Sequence, residues 1–338
     1  MKKLTLLTLA CCLTLLAAAT TRSLNNSNPS PGQYLSWATV EGASSDGDTI
    51  LIQGSMVNYY TLTVSKRLTI IGPGHHPTDK QNQQKAFCDV VLFVSGSNGS
   101  KIIGVEASNM QAYAVDVDSV SILQCKITDA VYFTYANSNN WLIDGCVFTN
   151  TGFCLRGQGN SVGDMHIRNS IFNGPIYSFN GAFIGYNYVY NNIFLGPTTY
   201  SLQYCSYFYV ENNIFYRSGI QDYANIGCAF NKNVSYNCLG GDIFQNGTNY
   251  ENVDPLFVTS IGTGANFDYA TDYHLQPTSP VLTGGVDGTE VGVYGGVGDY
   301  QQEGIGHNPY IQTFNITGPT SVNAGDPIQV YIKAKVRN

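Results

Sequence analysis

Charge is what this chain has least of. Of 338 residues only 12% are charged, with 16 Lys and Arg against 23 Asp and Glu and a net charge of −7. No basic stripe runs through it, which excludes the electrostatic footprint of a nucleic-acid-binding protein. Long helix formers do not recur in amphipathic runs, which excludes the helical repeat folds. After Leu4 to Leu16 no apolar run is long enough to cross a bilayer. Histidine numbers only 5, and no Cys or His spacing resembles a zinc site, so no metal is assigned.

Glycine (36) and tyrosine (24), by contrast, are plentiful, and both suit a turn-dense β protein. The N-terminus reads Met1-Lys2-Lys3, then the apolar run, then Ala17-Ala18-Ala19. This is the pattern of a secretory signal with an A-x-A site cut near Ala19, so a periplasmic or extracellular protein is expected. Seven cysteines follow, at 88, 125, 146, 154, 205, 228 and 238. Free cysteine behaves as a small buried hydrophobe, and interior stacking is the expected role. One disulfide between neighbouring coils stays open in an oxidising compartment.

One phrase recurs between residues 102 and 239. It reads Ile102-Ile-Gly104-Val-Glu-Ala107, Leu123-Gln-Cys125-Lys-Ile-Thr128 and Ile143-Asp-Gly145-Cys-Val-Phe148. It continues as Ile167-Arg-Asn169-Ser-Ile-Phe172, Val189-Tyr-Asn191-Asn-Ile-Phe194 and Val210-Glu-Asn212-Asn-Ile-Phe215, and fades at Val234-Ser-Tyr236-Asn-Cys-Leu239. Copies 20 to 24 residues apart, rich in Val, Ile, Phe and Tyr and broken by Gly and Asn, are strand and turn chemistry without crossover helices. That pattern predicts a parallel β-solenoid whose coils stack at about 4.8 Å. Asn169, Asn191 and Asn212 then share one bend, where an amide tolerates left-handed angles and can bond its counterparts above and below. A preceding strand is predicted in each coil, over 113–117, 131–134, 153–156, 176–179 and 200–203.

Taken in order, residues 1–19 are the signal, 20–32 a flexible leader, and Gln33 to Gly42 a short amphipathic helix. Gly47-Asp48-Thr49-Ile50, a strand at Leu62 to Val64, and Leu68-Thr-Ile-Ile-Gly72 follow. These resemble the N-terminal opening of right-handed β-helix proteins of the pectin-lyase-like superfamily. Residues 73–89, with His75 and His76, are polar and read as a surface excursion. Further on, Asn252-Val-Asp254-Pro-Leu-Phe257, Tyr273-His-Leu-Gln-Pro-Thr-Ser-Pro280 and Gly292-Val-Tyr-Gly-Gly296 resemble the C-terminal closing segment of many secreted bacterial members. The resemblance implies an all-β, right-handed, single-stranded parallel β-helix over residues 33–300. A helix would plug its first coil and the closing segment would wrap and cap its last. Asp254, His274 and Ser279 are then structural rather than a triad. Residues 307–338 read as a two-strand appendage.

The resemblance implies a fold more than a function, because function lives in sites placed on a fold. Members include polysaccharide lyases and glycoside hydrolases. On alternating strands Asp116, Tyr132, Thr134, Arg156 and Tyr177 face solvent on one sheet. Asp116 and Arg156 are the candidate catalytic residues; Tyr132, Thr134 and Tyr177 are the candidate ligand contacts. Members of the polygalacturonase type carry Asp pairs, Gly-His and Arg-x-Lys strings that are absent in that order here, and a glycosidase needs two carboxylates across the scissile bond. Asp116, Asp118, Asp129 and Asp144 are the carboxylates from which a Ca²⁺ site would be built; no other cofactor is implied. The reading is a monomeric secreted protein that binds or helps process a polysaccharide, with a lyase or hydrolase as the alternative.

Overall fold

The computed structural model describes residues 19–77, 84–114, 117–135, 138–158, 162–179, 185–196, 200–220, 226–238, 243–244, 246–262, 266–298, 300–302, 304, 310–316 and 330–335. Asp116 and the segment read as a signal, up to residue 18, lie outside the described residues. The chain is an all-β parallel solenoid with one helix. Wall 1 is a ten-stranded parallel sheet running from Thr21–Leu24 to Ala229–Asn231. A second, fourteen-stranded sheet forks at the long strand Glu106–Ala112. The C-terminal half of that strand pairs with Val131–Phe133 and its N-terminal half with Lys126–Ile127. Beyond the fork, Leu155–Arg156, Ile176–Phe179 and Tyr200–Cys205 continue wall 2. Val147–Phe148, Ile171–Phe172, Ile193–Leu195, Ile214–Tyr216 and Val234–Tyr236 continue wall 3.

Each coil thus runs wall 1, a tight bend, wall 3, then wall 2. The period-2 alternation of strands turns one residue of each inward. Ile50, Ile70, Ile102, Ile122, Ile143, Ile167, Val189, Val210 and Phe230 are register partners along wall 1 and are essentially inaccessible to solvent. On wall 3, Phe148, Phe172, Phe194 and Phe215 stack face on face at 4.6, 5.0 and 4.9 Å. Burial of each such ring is worth roughly 1.5–3 kcal/mol.

The bend column is Gly104, Gln124, Gly145, Asn169, Asn191, Asn212 and Lys232, all at positive φ between 45° and 65°. Two copies of the repeated phrase are therefore shifted from the sequence reading. Ile122 and Phe230, not Leu123 and Val234, align with Ile102. The reason is that Gln124 and Lys232 take left-handed angles usually left to Gly and Asn. Cys125 sits one position past the bend, in register with Cys146, and both are buried thiols. The seven cysteines are thiols, six of them buried.

The amide ladder also forms one residue later than expected. Asn169 and Asn191 donate not to one another but to carbonyls of the C-terminal segment: Val293 and Gly295 from Asn169, Gly292 from Asn191. The inter-coil ladder belongs instead to the inward-turned residues that follow each bend. Asn192 Nδ2 donates to Asn213 Oδ1 at 2.9 Å, Asn213 Nδ2 to Asn233 Oδ1 at 3.0 Å, and Asn233 Nδ2 to Asn249 Oδ1 at 3.0 Å. An interior amide has only the next rung to satisfy it, so stacking is enforced there.

Both ends differ from expectation as well. Residues 20–32 are not a flexible leader: Thr21–Leu24 is the first strand of wall 1, paired in parallel with Thr49–Ile52. The helix is Trp37–Ala43, because Ser36 stays extended and its hydroxyl accepts the Thr39 N–H. Its buried face packs on the first strands of walls 1 and 2, with Trp37 Nε1 donating to Thr63 O at 2.7 Å.

The closing segment does more than cap the last coil. It lies as a strap along the outside of wall 3. Phe257, Tyr273, Leu275, Val281, Val291 and Val293 cover the outward Val147, Ile171, Ile193, Ile214 and Val234. Hydrogen bonds fix its path from Asn212 (Val286 N) past Asn191 to Asn169. At its far reach the Tyr269 hydroxyl lies 2.7 Å from His75 Nδ1, and His75 is 2% exposed. Residues 73–75 are buried and therefore not a surface excursion; 78–83 lie outside the described residues. Asp254 accepts from Leu256 N, Ser279 Oγ donates to Pro255 O, and the His274 ring lies flat on Tyr294 at 3.5 Å. These are turn and stacking roles, as expected. The C-terminal strands Tyr310–Ile316 and Val330–Lys335 form a separate antiparallel hairpin.

Candidate functional site

With wall 3 covered, walls 1 and 2 are the faces over which no described segment is strapped. On wall 1, His166, Tyr188 and Tyr209 are register partners. His166 stacks on Tyr188 at 4.8 Å and 12°, and Tyr188 on Tyr209 at 5.6 Å and 18°. Parallel rings stacked along the axis cover one another's faces and turn their edges outward. Arg168 beside them is committed to Asp144 through Nε at 2.8 Å and Nη2 at 2.7 Å. His166 is held below its usual value by burial and by the Arg168 charge, so its imidazole stays neutral near pH 7.

Wall 2 is arranged differently. Gln111, Tyr132, Arg156, Tyr177 and Gln203 form one outward column in consecutive coils. The structure therefore brings Tyr132, Arg156 and Tyr177 together as the sequence pattern suggests, with Thr134 half-buried just past Tyr132. Asp116 lies outside the described residues, and the position beside Tyr132 in this column is held by Gln111. The strand of that coil is Glu106–Ala112 rather than 113–117, and Gln111 is the partner of Tyr132. A strand written Glu-Ala-Ser-Asn-Met-Gln-Ala carries little β signal, which is why the later Val-Asp-Val-Asp run attracted the assignment.

The Arg156 guanidinium lies 5.1 Å from the centre of the Phe153 ring and 6.0 Å from that of Tyr177. Its Nε is buried and has no hydrogen-bond partner among the described residues. Tyr177 meets Phe153 at a 54° tilt and Tyr204 nearly edge-on. Tyr113 and Tyr135 make a second edge-on pair at 5.5 Å. Tilted pairs leave ring faces open to solvent, and Tyr113, Tyr135, Tyr200 and Tyr204 are among the most exposed large side chains of the coils.

Phe153, the platform for Arg156, was not among the site residues that sequence reasoning singled out. Sequence reasoning also missed Asp129 as a contact of this face. Tyr132 OH donates to Asp129 Oδ2 at 3.1 Å and Asn150 Nδ2 donates to Asp129 Oδ1 at 2.8 Å. Asp129 sits in a turn, where strand alternation carries no signal. Burial first, and then the Asp129 carboxylate, hold the Tyr132 phenol above its ordinary value against the pull of Arg156. Of the carboxylates offered for Ca²⁺, Asp116 lies outside the described residues and the other three are engaged separately: Asp129 on this side, Asp144 with Arg168 on wall 1, and Asp118 accepting the Asn139 N–H. Among the described residues no three His, Cys, Asp or Glu side chains group as a metal site, and no helix is long and apolar enough to cross a membrane.

The fold and its faces define the chain as a parallel β-solenoid with a strapped flank and an open aromatic wall. No protein-family model matches the sequence, and no curated protein is similar to it.

Proposed function

We propose that this chain is a secreted β-solenoid that binds complex carbohydrate along wall 2 without a catalytic step of its own. The observation that carries the reading is the Arg156 column, a guanidinium whose buried Nε has no partner among the described residues, set among tilted and edge-on aromatic rings. Pyranose rings present C–H faces that match aromatic faces and hydroxyls that match guanidinium and amide donors. The signal-like N-terminus supports export.

A panel of immobilised polysaccharides tests this. The wild-type chain should bind at least one, and Tyr177→Ala and Arg156→Ala should each weaken that binding about tenfold, near 1.4 kcal/mol. Unchanged affinity in both variants would remove wall 2 from the account. The Asp129–Tyr132–Arg156 grouping favours a second reading, a polysaccharide lyase or hydrolase. Its demands are poorly met: the Tyr132 phenol is shifted away from use as a base, and the Asp129 carboxylate is occupied by two donors. Release of oligosaccharides, abolished by Asp129→Asn, would establish that reading instead.

A further inference from the structure

We propose that cleavage between Ala19 and Thr20 creates a structural N-terminus, whose new α-ammonium group forms an ion pair with Asp48. The site is already in place in the folded chain. Ala19 and Thr20 are both exposed, so the bond between them is open to a peptidase. Immediately after it the chain is fixed. The Thr20 backbone nitrogen donates to Asp48 Oδ1 at 2.6 Å, Thr20 O accepts from Thr49 N, and Thr21 opens the first strand of wall 1. Asp48 is 2% exposed. Its Oδ2 accepts from Ser45 N at 2.9 Å and lies 3.3 Å from Arg22 Nη2. Arg22 is itself committed to the Ala43 carbonyl through Nε and Nη2.

The carboxylate is thus held by two backbone donors and shares one guanidinium. Hydrolysis of the Ala19–Thr20 amide by a signal-type peptidase adds water across the bond. The carboxylate leaves on Ala19, and the Thr20 amide nitrogen becomes a protonated amine at the same position. A neutral N–H donor to a buried carboxylate is thereby replaced by a cationic one, which adds charge–charge attraction to a bond already assisted by the carboxylate's charge. Folding of the first coil and maturation are then linked, because only the processed chain adds a second positive charge against Asp48, beside that of Arg22.

The linkage has a definite sign. Pairing raises the α-amino pKa in the folded chain above its unfolded value of about 7.7–8.0. The stabilisation is fully present below that value and is lost as pH rises through the folded one. The charged groups facing the amine are Asp48 across the bond and Arg22 on its own strand; Asp46, in the same turn as Asp48, is engaged by the Arg67 amide.

The experiment compares three chains: one starting at Thr20, the same chain acetylated at its amine, and one retaining Ala19. The exported protein should begin at Thr20 by intact mass. At pH 6 the Thr20 chain should melt about 2 °C or more above the other two, a difference that closes near pH 10. Asp48→Asn should abolish the difference between the free and acetylated forms. A mature terminus elsewhere, or equal melting of the free and acetylated chains at pH 6, would overturn the proposal. Neither result depends on carbohydrate binding.

Discussion

Asn213→Leu is expected to destabilise the fold by about 3–5 kcal/mol, since each buried group left unpaired costs about 1–3 kcal/mol. Asn213 is completely buried. Its Oδ1 accepts from both the backbone and side-chain nitrogens of Asn192, and its Nδ2 donates to Val189 O, Glu211 O and Asn233 Oδ1. Leucine has nearly the same shape but leaves the Asn192 N–H without an acceptor and removes a donor from each carbonyl. Glu211 O keeps Asn191 N, which tempers the loss at that point. Water cannot substitute inside the coil, whereas it can at the ladder's half-buried end. Asn249→Ala should therefore cost only about 1 kcal/mol. Urea unfolding of the two variants beside the wild type measures the contrast. Equal, small effects would mean that the ladder is incidental to stacking.

Gly295→Val should release the strap while leaving the coils folded. A Cβ at Gly295 would overlap the Glu290 carbonyl oxygen and the Asn191 amide. Neither can retreat easily, because Glu290 is in the strap itself and Asn191 holds a left-handed bend. Detachment would uncover the outward column of Val147, Ile171, Ile193, Ile214 and Val234. Returning those side chains to water costs roughly 1.5–3 kcal/mol each and opposes release, so the overlap at Gly295 shifts the balance toward the open strap without emptying the closed state. Limited proteolysis should then cut between residues 255 and 300 at least a hundredfold faster than in the wild type, and a hydrophobic dye should bind. Far-UV circular dichroism should keep its strand signature. Loss of that signature at the same concentration of denaturant would show instead that strap and coils form one cooperative unit.

Much of this architecture was legible from the chain, and the parts that were not have physical reasons. Gly104, Gly145, Asn169, Asn191 and Asn212 mark the bend because Gly and Asn are the residues that adopt positive φ at little cost. Gln124 and Lys232 hold the same angles only because the neighbouring rungs over-determine them, so the phrase slips by one residue at Leu123 and is lost at Val234. The strap was written in the sequence but unread. Consecutive apolar pairs such as Ile171-Phe172, Ile193-Phe194 and Ile214-Phe215 mean a strand buried on both faces, and something must cover the outer one. On wall 2, Tyr132, Arg156 and Tyr177 were found because they obey strand alternation. Asp129 and the misplaced strand around Asp116 were missed because one lies in a turn and the other was chosen over a weakly β-forming run.

Hydroxyl-radical footprinting of the intact chain, read by mass spectrometry with and without a bound polysaccharide, tests most directly which face meets the ligand. Tyr113, Tyr135, Tyr200 and Tyr204 should oxidise readily in the free chain and be shielded when the polysaccharide binds. Ile193 and Ile214 beneath the strap, and Tyr273 buried within it, should stay unreactive throughout. Ready oxidation of Ile193 and Ile214 in the free chain, or shielding that spares the wall 2 tyrosines, would contradict the account.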